Sequence, residues 1–76
     1  MKILITGISG LLGGDLWNVL SSSDFETFGL SRKKPVFLPD EKWLNCDITD
    51  FTETYQKVTK LNPDVVIHAA AASNVD

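Results

Sequence analysis

Three glycines recur at even spacing in Thr6-Gly7-Ile8-Ser9-Gly10-Leu11-Leu12-Gly13, directly after the apolar triplet Ile3-Leu4-Ile5. A G-x-x-G-x-x-G run between a strand and a helix suits the binding of a pyrophosphate. Gly7 would allow the sharp turn out of the strand, Gly10 would leave the backbone bare where phosphates approach, and Gly13 would let the helix pack closely. The free N–H groups of the first helical turn, with the helix dipole behind them, would face the anion across Ser9 and Gly10. A glycine-rich turn made only for packing would carry the same residues, but its place between strand and helix favours binding. No Gly-Lys-Ser or Gly-Lys-Thr follows Gly13, which excludes a P-loop and nucleoside triphosphatase chemistry.

Ser31-Arg32-Lys33 occupies the place where a dinucleotide-binding fold commonly sets a carboxylate, about 20 residues past the glycines, on the ribose 2′-hydroxyl. A hydroxyl and two cations suit a 2′-phosphate that a carboxylate would repel, so NADP is favoured and NAD is the alternative. A plain solvated basic turn is the competing reading. Cys46-Asp47-Ile48 falls beside the expected adenine pocket, where Asp47 could accept from the adenine amino group and Ile48 could pack on the base. Asp47 would equally serve a local turn or cap, and the two roles are compatible. The small residues Ala69, Ala70 and Ala71 would let a cofactor lie against the backbone. His68 reads as a packed, hydrogen-bonded strand-end residue and Cys46 as a small core residue, so no catalytic residue is assigned.

These residues need a scaffold. The apolar run Ile3–Ile5 predicts a buried parallel strand, β1, and Leu12, Leu16, Val19 and Leu20 mark one face of a helix, α1, over 11–20. A second strand, β2, is expected over Phe25–Leu30, followed by a polar loop of about eleven residues over 31–41 that holds Pro35 and Pro39. Trp43–Cys46 predicts a short β3. Asp50 then stands as N-cap three residues before Glu53, and Phe51, Tyr55, Val58 and Leu61 give the expected apolar face of a helix, α2, that ends at Asn62-Pro63. On this pattern Tyr55 is a core residue. Val65–Ile67 predicts β4, running into the small residues Ala69 to Ala72.

The order β-α-β-β-α-β with continuous apolar strands predicts an α/β fold, a Rossmann-type open parallel sheet of order 3-2-1-4 with one helix on each face. A complete doubly wound sheet carries more helices. The edge strand β4 would lack full cover, so residues 1–76 are expected to be the amino-terminal part of a larger dinucleotide-binding domain, with catalytic and substrate segments elsewhere.

A 76-residue chain has a marginal core, and one cysteine and one histidine supply neither a disulfide nor a structural zinc site, so no metal is expected. The net charge of −3 argues against nucleic-acid binding and against an anionic membrane surface. No apolar run reaches the roughly 18 residues of a membrane span, and Met1–Ile5 is too short for a signal peptide, so a cytoplasmic location is expected.

Taken together, Thr6–Gly13, Cys46-Asp47-Ile48-Thr49-Asp50 and Asp64-Val65-Val66-Ile67-His68-Ala69-Ala70-Ala71 resemble the extended short-chain dehydrogenase/reductase superfamily over the whole chain. Within it, Asn62 to Ala71 followed by Asn74-Val75-Asp76 is similar to the dTDP-4-dehydrorhamnose reductases. Their relatives include the reductase-like regulatory subunit of methionine adenosyltransferase. The resemblance implies an oxidoreductase that uses NADP(H) or NAD(H) to reduce the 4-keto group of a dTDP-sugar, in the rhamnose branch of nucleotide-sugar metabolism. It would place Gly10, Leu11 and Leu12 on the pyrophosphate, Asp47 and Ile48 on the adenine, and Ala69, Ala70 and Ala71 on the path to the nicotinamide.

That family catalyses through a Tyr-x-x-x-Lys pair. Here Tyr55 is followed four residues on by Thr59, so these 76 residues hold no such pair. Catalysis is therefore expected of a longer protein. The alternatives are a sugar-nucleotide epimerase or dehydratase, a non-catalytic Rossmann regulatory subunit, and a short chain that closes its open β4 edge as a homodimer.

Overall fold

The computed structural model describes residues 1–8 and 11–69. Four strands, β1 (Lys2–Thr6), β2 (Glu26–Ser31), β3 (Trp43–Asn45) and β4 (Val65–His68), and two helices, α1 (Leu11–Ser21) and α2 (Phe51–Leu61), follow in the order β1-α1-β2-β3-α2-β4. All strand pairs are parallel and the sheet order is β3-β2-β1-β4, the expected Rossmann-type arrangement. Being flanked on both sides, β1 pairs Ile5 with Gly29 of β2 and with Ile67 of β4, and its residues Ile3 to Thr6 are buried. β4 pairs with β1 alone among the described residues, and Val65 is 41% exposed.

Side chains alternate along each strand, so the sheet has two apolar faces. On one, Leu16, Trp17 and Leu20 of α1 pack on Ile5, Ile8, Leu38 and Ala69. On the other, Val58 and Leu61 of α2 pack on Leu4, Leu30 and Cys46. One helix thus covers each face.

The rotation of both helices differs from the apolar pattern. Leu12 is 39% and Val19 68% exposed, whereas Trp17 turns inward. The inner stripe of α1 is Gly13, Leu16, Trp17 and Leu20, at spacings of three, one and three, because Gly13 is pressed against the turn that follows β1. A Cβ on Gly13 would lie 2.7 Å from the Gly7 carbonyl oxygen and from Ile8 Cα, so no other residue can stand there without displacing backbone. Contact, not hydrophobicity, sets the phase.

In α2, Phe51 and Tyr55 are 81% and 72% exposed, so Tyr55 is not a core residue. The inner stripe is Thr54, Val58 and Leu61. Thr54 Oγ1 donates to the Asp47 carbonyl at 3.3 Å and lies 3.3 Å from Cys46 Sγ, which ties the first turn of α2 to the end of β3. Asp50 caps the helix as expected, its Oδ1 accepting from Glu53 N at 3.1 Å. Asn62 closes it with a left-handed φ of 54°, its N–H donating to the Val58 carbonyl.

Smaller differences lie at the strand ends. β2 begins and ends one residue later than expected, with Phe25 outside it, and β3 stops at Asn45 with Cys46 buried just beyond. β4 extends to His68. The stretch after β2 is not wholly polar: Leu38 is 1% exposed in the α1-side core, Phe37 lies 6.5 Å from Trp17, and a 3₁₀ turn forms at Asp40–Lys42. This segment covers sheet that α1 leaves bare. No helix among the described residues is long and apolar enough to cross a membrane.

Two threonines separate a hydroxyl that bonds from one that does not. Thr27 is buried and its Oγ1 finds no partner among the described residues, whereas the Thr54 hydroxyl links Asp47 and Cys46. Replacing Thr27 by Val should leave stability unchanged or raise it. Thr54→Val should lower it by about 1 kcal/mol, in denaturant titrations of the two variants side by side.

Candidate functional site

At the carboxyl ends of β1, β2 and β3 the sheet opens into a cavity of about 130 Å³. Gly7 contributes from β1, Leu30, Ser31 and Arg32 from β2, and Cys46, Asp47 and Ile48 from the chain leaving β3. The volume falls below the roughly 300 Å³ of pockets that enclose a whole drug-sized ligand, and suits one ring system at the end of a longer molecule. A carboxyl-end crevice in a parallel sheet is where such folds bind ligands.

Gly7 has φ 70°, a left-handed backbone that other residues rarely adopt, and this bends the chain out of β1. Its N–H donates to the Leu30 carbonyl at 3.0 Å, so the turn remains tied to β2. Ile8 then drops over Gly29, where an added Cβ would meet the Ile8 side chain at 2.7 Å.

The β2 end is shaped by hydrogen bonds that sequence reasoning missed. Ser31 Oγ donates to the Lys33 carbonyl at 2.6 Å and accepts from Trp43 Nε1 at 3.0 Å, while the Ser31 carbonyl accepts from Cys46 N at 3.0 Å. The one hydroxyl proton of Ser31 is therefore committed to its own turn. Arg32 projects from that turn with its side chain 77% exposed, and its Nη1 lies 3.9 Å from Asp47 Oδ2. Exposed pairs of this kind add little stability, so the guanidinium can be drawn off by a stronger anion.

Asp47 performs the expected local task. Its Oδ1 accepts from Thr49 N at 3.0 Å and from Thr49 Oγ1 at 2.7 Å, closing a turn ahead of α2. The Thr49 hydroxyl first, then the Thr49 N–H and, to a smaller extent, Arg32 hold the Asp47 carboxyl below its ordinary range. Oδ2 is turned toward Arg32. Burial pushes the Cys46 thiol up, which fits a core residue rather than a nucleophile.

The remaining expected site residues fall elsewhere. Leu12 is exposed on α1, and Ala69 is fully buried against Ile5, Ile8 and Leu38. Leu11 opens α1. Ser9, Gly10, Ala70 and Ala71 lie outside the described residues. His68 ends β4 with Nδ1 3.1 Å from the buried Thr6 hydroxyl, bonded as expected yet exposed. A larger groove of about 510 Å³ lies between α2 and the β2–β3 edge, over Phe28, Leu44 and Leu61. Its Lys2 and Lys57 amines already donate to the Leu61 and Asn45 carbonyls, and it is remote from the glycine turn.

Two outcomes follow from this geometry. Gly13→Ala should cost about 1–3 kcal/mol in thermal unfolding, because the new methyl overlaps backbone rather than a side chain that could swing away. Thr49→Val removes the strongest support of the Asp47 carboxylate and should raise its pKa, in a carboxyl-carbon NMR titration, by more than Arg32→Ala does. Because the folded value is depressed, the Asp47 contacts persist from neutral pH downward and are lost as pH falls through that value; in Thr49→Val they are lost at higher pH.

Residues 3–76 match the NAD dependent epimerase/dehydratase family. The chain is 35% identical, over 86 aligned residues, to a probable dTDP-glucose 4,6-dehydratase of Sinorhizobium fredii, covering 100% of this chain and 25% of that protein. It is 27% identical over 77 residues to methionine adenosyltransferase 2 subunit beta of Danio rerio, covering 99% of this chain and 22% of that protein. The chain thus spans about a quarter of the length of these curated relatives. With the glycine turn, the 3-2-1-4 parallel sheet and the carboxyl-end cavity in place, the match over nearly all its residues shows that this chain belongs to the NAD dependent epimerase/dehydratase family.

Proposed function

We propose that these residues form the adenosine-binding part of a nicotinamide dinucleotide site in an enzyme that modifies a nucleotide sugar, with NADP(H) preferred over NAD(H). The observation that carries the preference is Arg32 at the rim of the β1–β3 cavity, where a ribose-binding carboxylate would otherwise stand. The backbone fits such a ligand: Gly7 at φ 70° keeps the turn low, and Gly13 holds the start of α1 against it.

In this reading Arg32 leaves Asp47 to pair with the 2′-phosphate, helped by Lys33. The Ser31 hydroxyl shapes the turn. Asp47 Oδ2 accepts from the adenine amino group, Ile48 packs on the base, and Gly10, Leu11 and Leu12 would contact the pyrophosphate, as the family resemblance implies. Ala70 and Ala71 would line the way to the nicotinamide; Ala69, fully buried in the core, is not available to it. When bound, the dinucleotide supplies a hydride donor or acceptor at a sugar carbon. A Tyr-x-x-x-Lys pair for proton transfer would come from outside these 76 residues.

Among nucleotide-sugar enzymes, the run from Asn62 to Ala71 supports reduction of a dTDP-4-keto-6-deoxy sugar by a dTDP-4-dehydrorhamnose reductase-like protein. Similarity to the dTDP-glucose 4,6-dehydratase supports a dehydratase or epimerase equally. The similarity to methionine adenosyltransferase 2 subunit beta favours a further reading, a regulatory subunit that keeps the dinucleotide site to support a partner. Lack of a Tyr-x-x-x-Lys pair in the natural protein would select it.

The test is calorimetric binding of NADPH and NADH to the natural protein and its Arg32→Ala variant. Loss of charge-assisted hydrogen bonds to the 2′-phosphate should weaken NADPH about tenfold or more and leave NADH within about twofold. Equal weakening of both would remove the 2′-phosphate role from Arg32.

A further inference from the structure

The turn that carries Arg32 is tied down by a side chain that the dinucleotide has no reason to touch. Trp43 opens β3 and lies in register with Gly29, while the register partner of Ser31 is Asn45. Residues two apart on a strand share a face, so Trp43, Gly29 and Ser31 lie on the α1 side of the sheet. The Trp43 ring packs with the cluster of Ile5, Ile8 and Leu38. Its indole reaches along the sheet by two residues, about 6–7 Å, and Nε1–H donates to Ser31 Oγ at 3.0 Å. Ser31, only 7% exposed, passes its own proton to the Lys33 carbonyl at 2.6 Å.

The relay has a direction. An indole N–H can only donate, so Ser31 Oγ must accept from Trp43, and its hydroxyl proton is turned toward Lys33. The turn is thereby bonded on both sides of Arg32, at the Ser31 side chain and at the Lys33 carbonyl. Arg32, with no hydrogen bond to its own turn, is the residue this arrangement holds out. Without the indole donor, the Ser31 hydroxyl would keep only its bond to the Lys33 carbonyl and lose the tie to β3, so the Arg32 turn would be held less firmly and would have to be ordered further on binding.

We propose that Trp43 is a specificity-determining positioning residue, which through Ser31 fixes the turn presenting Arg32 and so sets the preference for a 2′-phosphorylated dinucleotide without touching it. The inference rests on the reading of Arg32 as the 2′-phosphate partner. Packing and hydrogen bonding separate at this residue: Trp43→Phe keeps an aromatic ring in the Ile5–Ile8–Leu38 cluster and removes the N–H alone.

The experiment compares NADPH and NADH dissociation constants for the natural protein and its Trp43→Phe, Ser31→Ala, Trp43→Phe/Ser31→Ala and Arg32→Ala forms, with melting temperature recorded for each. Trp43→Phe should lower the NADPH-over-NADH preference about fivefold with NADH affinity held within about twofold. Ser31→Ala, which removes both bonds of the relay, should lower the preference at least as much, and the double variant no further than Ser31→Ala alone. If Arg32→Ala lowers the preference and Trp43→Phe does not, the relay is refuted while the 2′-phosphate reading stands. If Trp43→Phe weakens both dinucleotides equally, its role is structural and the proposal fails. If Arg32→Ala leaves the preference intact, the 2′-phosphate reading itself falls and the relay with it. Should Trp43→Phe fail to fold, Ser31→Ala against Arg32→Ala decides by the same ratio.

Discussion

The approach of Gly13 to the Gly7–Ile8 backbone governs the α1 side of the molecule. At 2.7 Å for an added Cβ there is no room for any side chain, and this contact fixes how α1 is rotated and how low the turn lies over the sheet. Leu16, Trp17 and Leu20 are then brought onto the core, and Ile8 is seated over Gly29. A helix set further out would lift Ile8 and open the floor beside β2. The same contact keeps the start of α1 against the Gly7 turn, which lines the cavity.

The other face depends on the end of β3. Cys46, Asp47 and Thr54 meet there, and the Asp47 carbonyl accepts from both Asp50 N and Thr54 Oγ1. One short segment therefore anchors α2, closes its N-terminus and positions the Asp47 carboxylate at the cavity. Because Thr54 rather than Tyr55 faces the sheet, the aromatic pair Phe51 and Tyr55 is left outside. Val58 and Leu61 supply the apolar contact of α2 on that face.

Electrostatics at the cavity are arranged for exchange. Asp47 Oδ1 is held by Thr49 and leaves Oδ2 to Arg32, at a distance and exposure where the pairing is weak. Arg32 is thus kept beside the cavity without being locked in it. The hydrogen bonds that are strong and partly buried lie beneath, in the Trp43–Ser31–Lys33 chain that shapes its turn.

Much of this was readable from the residues. Continuous apolar strands, the glycine spacing, the Asp50 N-cap and the Asn62-Pro63 stop determined a parallel α/β sheet of order 3-2-1-4 and placed Gly7, Ser31, Arg32, Asp47 and Ile48 at one edge of it, because strand and helix periods and cap chemistry are local properties. The phase of each helix was not readable, since it is set by Gly13 and Thr54, residues that carry no hydrophobic signal and act only once the turn or the β3 end has come within contact. Leu38 was hidden in a proline-containing loop for the same reason. The tie between Trp43 and Ser31, twelve residues apart, exists only after β2 and β3 have paired, so the tertiary structure alone decided that the Ser31 hydroxyl shapes the turn and that Arg32 stands exposed at the cavity rim.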